Sequence, residues 1–147
     1  MFIGEFTHTL DTKGRFFIPA RFREKLGQRF VVTKGLDRCL FGFPLTEWET
    51  IEKKLRRLPF ARADARAFAR LFFSGAAELE PDRQGRILIP LNLREYAGLN
   101  RDVVIVGVAS RTEFWAGDEW ARYSTKTQAA YEEIAEKIVD FDFGAED

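Results

Sequence analysis

The sequence predicts an α+β protein in which two homologous β-β-α-β-β repeats complete one shared β-barrel. Three observations lead to this fold class: an internal duplication, short apolar runs that end at proline or glycine in each copy, and helical periodicity between and after the copies. The chain has 147 residues, of which 46% are apolar and 31% are charged, a composition typical of a globular protein. A repeat of about 45 residues rarely forms an adequate core alone, so we expect the two halves to share one.

The duplication relates residues 11–19 (DTKGRFFIP) to residues 82–90 (DRQGRILIP). When residues 11–27 are aligned with residues 82–98, eight of seventeen positions are identical, including both glycines of each copy. A single D-x-x-G-R sequence is a weak signal, because aspartate and glycine are common in turns for purely local reasons. Two copies followed by the same order of residues indicate two homologous halves.

Each repeat is predicted to form a strand, a turn, a second strand, a short helix and two further strands. The second strand ends at Pro19 or Pro90, because proline cannot donate to a strand ladder and suits the first turn of a helix. That helix is about two turns long and closes at Gly27 or Gly98. The predicted strands are residues 2–10, 15–18, 30–33 and 39–43 in the first repeat and residues 76–79, 86–89, 103–108 and 112–115 in the second.

Two helices are predicted between the repeats. Thr46 and Glu49 form a capping box for the first, which runs toward Arg57. The second ends at Ser74 and Gly75 and has an apolar and a basic face. The apolar face consists of Ala65, Phe68, Leu71 and Phe72, and the basic face consists of Arg62, Arg66 and Arg70.

A long amphipathic helix is predicted after the second repeat. Asp118 is its expected N-cap, and we expect it to stay ordered to about Val139, with an acidic frayed tail at residues 141–147. Its apolar side recurs at steps of three and four residues: Trp120, Tyr123, Thr127, Tyr131, Ile134 and Ile138. The predicted organisation is a first repeat at residues 1–48, a helical connector at 49–75, a second repeat at 76–120 and a C-terminal helix with the tail at 121–147.

The residues offer little support for catalysis. The single cysteine, Cys39, excludes an intramolecular disulfide and a multi-cysteine zinc site, and the single histidine, His8, lies in a predicted strand, where a structural role is favoured. Asp11 and Asp82 are paired carboxylates, but each opens a turn in which side-chain capping already accounts for it. No phosphate-binding glycine loop is present. We therefore expect no catalytic residues, no metal, no cofactor and no small-molecule substrate.

The formal net charge of zero conceals an asymmetry. Residues 1–72 hold 15 basic and 8 acidic residues, whereas residues 73–147 hold 8 basic and 15 acidic residues. Two solvated helix faces would explain such runs. Alternatively, opposite halves of neighbouring copies attract each other head to tail, as in a ring. The most basic stretch, residues 53–70, contacts either DNA or a neighbouring subunit.

Two interpretations of Arg15 and Arg86 remain open, since both directly follow a turn glycine at the start of a strand. In the first, each arginine pairs with the aspartate four residues before it and stabilises the turn. In the second, the arginines lie on a protruding surface and contact phosphates or guanine edges in the major groove. The two interpretations are compatible. The basic neighbours Lys13 and Arg83 lie on the same turns, and Arg21, Arg23 and Arg94 follow nearby.

The two D-x-x-G-R turns, each followed by a strand that ends in Ile-Pro, resemble those of the MraZ family of bacterial transcriptional regulators. The segments L-R-E-Y-A-G-L at residues 93–99 and V-G-V at residues 106–108 are also similar to the family's second half. The resemblance covers nearly the whole chain. It implies the pseudo-two-fold swapped-hairpin, or double-split, β-barrel that the family shares with the AbrB and SpoVT DNA-binding domains.

The resemblance further implies a cytoplasmic, nucleoid-associated protein that binds double-stranded DNA. Its target would be closely spaced direct repeats at the promoter of the division and cell-wall gene cluster, bound by a ring-like homo-oligomer. The family motif carries over to Asp11 and Arg15 in the first repeat and to Asp82 and Arg86 in the second, with Gly14 and Gly85 supporting the turns. The alternative is a ring scaffold or an antitoxin-like protein that binds another protein through the same barrel. No stretch is long and apolar enough for a membrane span, so we expect no membrane partner.

Overall fold

The two repeats exchange strands in the structure, a computed structural model that describes residues 1–138. The first strand of each repeat pairs with the third strand of the other, and the fourth strands pair with each other, so six antiparallel strands form one sheet. The second strands pair separately as a two-stranded ribbon. The α+β class and the predicted order of elements within each repeat are therefore observed, together with one sheet shared by both halves.

The eight strands and six helices of the described residues follow the predicted order. The strands are β1 (Glu5–Thr9), β2 (Arg15–Phe17), β3 (Phe30–Lys34), β4 (Leu40–Pro44), β5 (Ala77–Leu79), β6 (Arg86–Leu88), β7 (Asp102–Val108) and β8 (Arg111–Ala116). The helices are α1 (Ala20–Leu26), α2 (Leu45–Arg56), α3 (Ala63–Ser74), α4 (Leu91–Ala97), α5 (Gly117–Ala129) and α6 (Tyr131–Lys137). The sheet order is β1-β7-β8-β4-β3-β5, which reads the same when the two repeats are interchanged.

Both repeats contribute to a single hydrophobic core. Alternation along the short strands turns one face inward, so Phe16 of β2 and Ile87 of β6 are buried opposite each other. Phe22 of α1 and Leu93 of α4 are buried in the same cluster, at equivalent places in the two repeats. Burying a side chain of this size contributes about 1.5–3 kcal/mol, so each half depends on the other for its stability.

Small differences from the sequence prediction occur where strands pass into helices. Pro19 and Pro90 lie at the N-cap positions of α1 and α4, directly before the first turn instead of within it. The capping box predicted at Thr46 is wrong, because β4 continues to Pro44 and the chain enters α2 at Leu45 without a side-chain cap. Thr46 therefore lies inside the helix, where its carbonyl accepts a hydrogen bond from the Thr50 hydroxyl at 3.2 Å.

The predicted C-terminal helix is two helices. It begins at Gly117, so Asp118 lies in the first turn and is not the N-cap. The long helix breaks at Ala130, whose N–H donates to the Thr127 carbonyl at 3.1 Å in a tight turn that interrupts the helical ladder. Val139 and the predicted tail at residues 141–147 lie outside the described residues.

The chain divides into two compact units, Met1–Gly117 and a second that begins at Asp118. The first unit holds all eight strands and the core. None of the helices within residues 1–138 is long and apolar enough to cross a membrane.

Candidate nucleic-acid interface

The first turn is built around the carboxylate of Asp11. Its Oδ1 accepts hydrogen bonds from the backbone N–H groups of Lys13 and Arg15, both at 2.9 Å. The Asp11 N–H donates to the Arg15 carbonyl at 2.8 Å, which closes the turn. Gly14 has a φ of 90°, a conformation that L side chains rarely adopt, so glycine is required there. Lys13 is exposed beside it.

The second turn has nearly the same geometry. Asp82 Oδ1 accepts from the N–H groups of Gln84 and Arg86, both at 2.9 Å, and the Asp82 N–H donates to the Arg86 carbonyl at 2.8 Å. Gly85 has a φ of 83°. Gln84 occupies the exposed position that Lys13 holds in the first turn, and Arg83 lies at the exposed position of Thr12. The duplication in the sequence is therefore a duplication of hydrogen bonds.

The second carboxylate oxygen of each aspartate holds an arginine side chain. Arg15 Nε donates to Asp11 Oδ2 at 2.7 Å, and Arg86 Nε donates to Asp82 Oδ2 at 2.9 Å. These bonds use Nε, so the pair does not require the two terminal amino groups of either guanidinium. The aspartate–arginine pairs that the first interpretation predicts are therefore present. Their geometry is compatible with the second interpretation, in which the arginines contact phosphates or guanine edges.

The same hydrogen bonds lower the pKa values of the two aspartates. The backbone hydrogen bond from Arg15, followed by that residue's side-chain bond and the Lys13 N–H, lowers the pKa of Asp11 from its usual 3.8 to about 2. The backbone N–H of Arg86, with its side chain and the Gln84 N–H, likewise lowers the pKa of Asp82. Both carboxylates are therefore ionised at neutral pH and hold their arginines as charge-assisted pairs.

The register of the β2–β6 ribbon places both arginines on one face. Phe16 lies opposite Ile87 and both point into the core, so the residues on either side of them point outward. Arg15 and Arg86 are diagonal neighbours on the outward face, a spacing of roughly 7–8 Å in antiparallel pairs. The two turns lie at opposite ends of this ribbon, because each leads into the start of one strand.

Two apolar side chains share the outward face with the arginines. Phe17 lies opposite Arg86 and Leu88 lies opposite Arg15, and the two are 45% and 53% exposed. The ring of His8 lies 6.2 Å from that of Phe17, which gives the histidine a packing position beside the ribbon. Alternation along each strand indicates that Phe17 and Leu88 point away from the core. The pairing of β2 with β6 is needed to place them beside the arginines.

The two turns are braced against each other across the repeats. The Ile18 N–H donates to the Gly85 carbonyl at 3.0 Å, and the Ile89 N–H donates to the Gly14 carbonyl at 3.1 Å. Each strand exit is therefore tied to the turn of the other repeat. This exchange explains why the ribbon strands end at Phe17 and Leu88, one residue earlier than predicted.

Two further arginines pack over the turn glycines, a role that the sequence did not reveal. A Cβ on Gly14 would lie 2.6 Å from Cζ of Arg94, whose Nε donates to the Ile89 carbonyl at 2.9 Å. A Cβ on Gly85 would clash with the guanidinium of Arg23. The corresponding positions of Arg23 and Arg94 in the two repeats were the available signal. Both brace the turn of the opposite repeat.

All eight predicted site residues thus lie on the two turns and the strands they open. Within residues 1–138, no group of three or more histidine, cysteine, aspartate or glutamate side chains is arranged to hold a metal ion. The Cys39 thiol is buried and donates to the Leu36 carbonyl at 3.1 Å, and burial raises its pKa.

The fold and the turns define a class: a two-repeat α+β protein whose strand-exchanged halves each carry an arginine held by an aspartate. A family model described as "MraZ protein, putative antitoxin-like" matches this chain twice, over residues 1–71 and residues 72–142. The chain belongs to the MraZ family. The double match confirms the duplication and the resemblance predicted from the sequence.

Curated relatives named "Transcriptional regulator MraZ" are similar along nearly the whole chain. The protein from Pelotomaculum thermopropionicum is 65% identical over 144 residues, which cover 98% of this chain and 99% of the relative. The protein from Carboxydothermus hydrogenoformans is 64% identical over 141 residues, 96% of this chain and 99% of the relative. The protein from Syntrophomonas wolfei is 61% identical over 140 residues, 95% of this chain and 98% of the relative.

Proposed function

We propose that this chain is a transcription regulator that binds double-stranded DNA through the outward face of the β2–β6 ribbon and its two turns. One observation carries the proposal: Arg15 and Arg86 lie on the same exposed face, each aimed by a buttressing aspartate. The names of the relatives support regulation of transcription. The closed swapped-hairpin barrel, implied by the family resemblance, is part of the same proposal.

A two-stranded ribbon of this kind suits the major groove of DNA. That groove admits a two-stranded β-ribbon, and its guanine edges present two acceptors to the terminal amino groups of an arginine. Because Asp11 and Asp82 hold each guanidinium through Nε, little side-chain freedom is lost on binding. Arg15 and Arg86 would contact guanines on either side of the pseudo-two-fold axis.

The neighbouring side chains complete the contact. Phe17 and Leu88 are apolar and exposed beside the arginines, and an apolar side chain in the major groove contacts the methyl group of thymine. Lys13 and Arg83 lie on the turns at the two ends of the ribbon, where they contact phosphates and set the register. The arginines and apolar residues read bases, and the turn residues supply affinity that depends on salt.

Two short strands contact few base pairs, so one copy binds weakly. Several copies in a ring-like homo-oligomer present the ribbon repeatedly, and the effective concentration of the next copy raises affinity where DNA repeats match the spacing. We place the operator at direct repeats in the promoter of the division and cell-wall gene cluster, including the protein's own gene. The protein then acts in the cytoplasm, at the nucleoid.

A mobility shift with the DNA upstream of the protein's own gene tests the proposal, with the mass of the complex measured on the same sample. We expect the wild-type chain to bind this DNA more tightly than a duplex in which the repeats are scrambled. Each of Arg15→Ala and Arg86→Ala should weaken binding by about 1–3 kcal/mol, roughly 5- to 150-fold.

Arg122→Ala is the matched control, because Arg122 is exposed and lies on α5, outside the ribbon and turns. It should keep wild-type affinity, and all variants should keep the wild-type circular dichroism spectrum. If the double variant Arg15→Ala/Arg86→Ala binds as tightly as the wild type at low and high salt, the proposed interface is wrong. A chain that assembles but binds no DNA would favour the scaffold or antitoxin-like alternative.

A further inference from the structure

The connector between the repeats carries an exposed apolar groove. The groove lies between the end of α2, the loop after it and α3, with a volume of about 260 Å³ beside Leu55, Phe60 and Ala69. Phe60 is 84% exposed, and Phe68 and Leu71 on α3 are 40% and 59% exposed. Of the predicted apolar face of α3, only Phe72 is buried. Phe60 lines this groove, whereas Phe68 lines a neighbouring pocket that shares Leu58 and Ala65 with it. Exposed apolar side chains around such a groove are typical of an interaction surface.

Three arginines, Arg56, Arg66 and Arg70, line this groove. Between residues 53 and 70 there are seven lysines and arginines and a single acidic residue, Asp64. Arg62 pairs with Asp64 at 2.9 Å, and Arg56 pairs with Glu52. The charges of these two arginines are therefore partly compensated within the connector. Arg70 is exposed and lines the groove. A partner must therefore supply both apolar surface and negative charge.

Helix α6 has both properties. Tyr131 and Ile134 are three residues apart and so share one side of the helix, and Ile138 follows directly after its last residue, Lys137. They are 67%, 43% and 51% exposed. The rest of its surface is mainly acidic, with a single lysine, Lys137, in its last turn. The acidic residues are Glu132, Glu133 and Glu136.

We propose that the groove between α2 and α3 of one copy binds helix α6 of a second copy. An amphipathic helix that lays its apolar side into a groove is a common mode of recognition, with anchors at this spacing. The groove and α6 are different surfaces, so the contact is heterologous and leaves one of each free for further copies. The inference rests on the proposed homo-oligomer and assigns the surfaces that form it.

DNA is the competing occupant of the basic face. Phosphates would neutralise the arginines, but they would leave Leu55, Leu58 and Phe60 of the groove uncovered, whereas Tyr131 and Ile134 of a second copy would cover them. Burying an apolar side chain contributes about 25 cal/mol of favourable free energy for each Å² removed from water. A phosphate contact does not supply this contribution. The apolar lining therefore favours a second copy over DNA.

Sedimentation of the full chain with two variants tests this assignment. Phe60→Asp places a charge in the groove, and Ile134→Asp places one on α6. We expect the wild type to sediment as an assembly of several copies and each variant to sediment as a monomer. Ala61→Asp and Gln128→Asp add the same charge at exposed positions nearby and should assemble like the wild type.

Mixing the two variants gives the sharpest result. The Phe60→Asp chain keeps an intact α6 and the Ile134→Asp chain keeps an intact groove, so an equimolar mixture should form a 1:1 dimer and nothing larger. This rescue also shows that both variants fold. The proposal is overturned if the wild type is a monomer at all concentrations, if either variant assembles normally, or if the mixture stays monomeric.

DNA binding is measured separately on the same samples. If Phe60→Asp keeps the assembly but loses DNA binding, DNA is the occupant of the groove and the assignment is wrong. If the wild type assembles through these surfaces but binds no DNA, the proposed function fails while this assignment stands. The two outcomes are therefore distinguishable.

Discussion

Asp11 and Asp82 do two tasks with one carboxylate each. One oxygen accepts the backbone N–H groups that shape the turn, and the other holds the arginine side chain that follows. Serine or asparagine would cap the turn but would supply no charge to hold a guanidinium. A D-x-x-G-R sequence thus builds a turn and orients an arginine side chain at the same time, and both copies carry these residues.

The pH dependence of stability should report these carboxylates. The folded-state pKa of Asp11 is about 2, below its usual 3.8, and that of Asp82 is also lowered. Their contribution is therefore present above pH 3.8 and is lost as the pH falls toward 2, because the unfolded chain binds protons first. We expect Asp11→Asn/Asp82→Asn to flatten the fall in unfolding free energy between pH 4 and pH 2.

Denaturant unfolding at each pH measures this effect. Thr12→Asn is a suitable control, because it changes an exposed residue of the same turn and leaves both carboxylates in place. It should keep the wild-type dependence on pH. A double variant whose unfolding free energy falls as steeply as that of the wild type would show that the hydrogen bonds of the turns do not govern acid stability.

At the scale of elements, the β2–β6 ribbon is too short to hold itself together. Three residues a strand bury only Phe16 and Ile87, and Phe16 packs edge-on against Phe114 with ring centres 5.4 Å apart. The ribbon is therefore stable because its inward face belongs to the common core. Neighbouring residues on its two faces should respond differently to the same substitution.

We expect Phe16→Ala to lower the free energy of unfolding by about 3–5 kcal/mol, as for other buried phenylalanines. Phe17→Ala, one residue further and 45% exposed, should change it by less than about 1 kcal/mol and should weaken DNA binding instead. Denaturant unfolding and a mobility shift separate the two effects. Equal losses of stability would mean that the outward face also belongs to the core.

The short elements could be predicted from the sequence because their signals are local. Proline and glycine mark both ends of α1 and α4, and the strands follow apolar runs. The starts of α2 and α5 could not be placed in this way, because each helix begins directly after a strand, at Leu45 and at Gly117, one residue before the expected Thr46 and Asp118. The bracing by Arg23 and Arg94 depends on contacts between repeats, which no local pattern contains.

At the scale of the whole molecule, the duplication predicted two halves but not how they join. Strand pairing between residues about a hundred positions apart, such as Phe6 with Ile105, is decided by which apolar faces meet in the core. The exchange brings β2 and β6 side by side and so places Arg15 and Arg86 on one surface. The candidate site therefore exists only when both repeats fold together.

We expect the division of charge between the halves to give the protein two separate dependences on salt, one of DNA binding and one of assembly. DNA binding should weaken as salt rises, since each phosphate contact releases a counterion, and Lys13→Ala should lower the slope of log K against log salt by about 1 for each copy bound. Assembly should weaken for another reason, because salt screens the proposed attraction between the basic groove and acidic α6. The Debye length falls from about 10 Å at 0.1 M to about 3 Å at 1 M salt.

Sedimentation and fluorescence anisotropy on the same titration distinguish the two parts. Lys13→Ala should change the slope for DNA and leave the salt dependence of assembly as in the wild type. Arg70→Glu, at the groove, should weaken assembly most at low salt, where attraction to α6 is least screened, and approach the wild type at high salt. If the assembly constant of the wild type is the same at 0.1 M and 1 M salt, apolar contacts alone hold the copies together and the opposite charges of the two halves have no part in assembly.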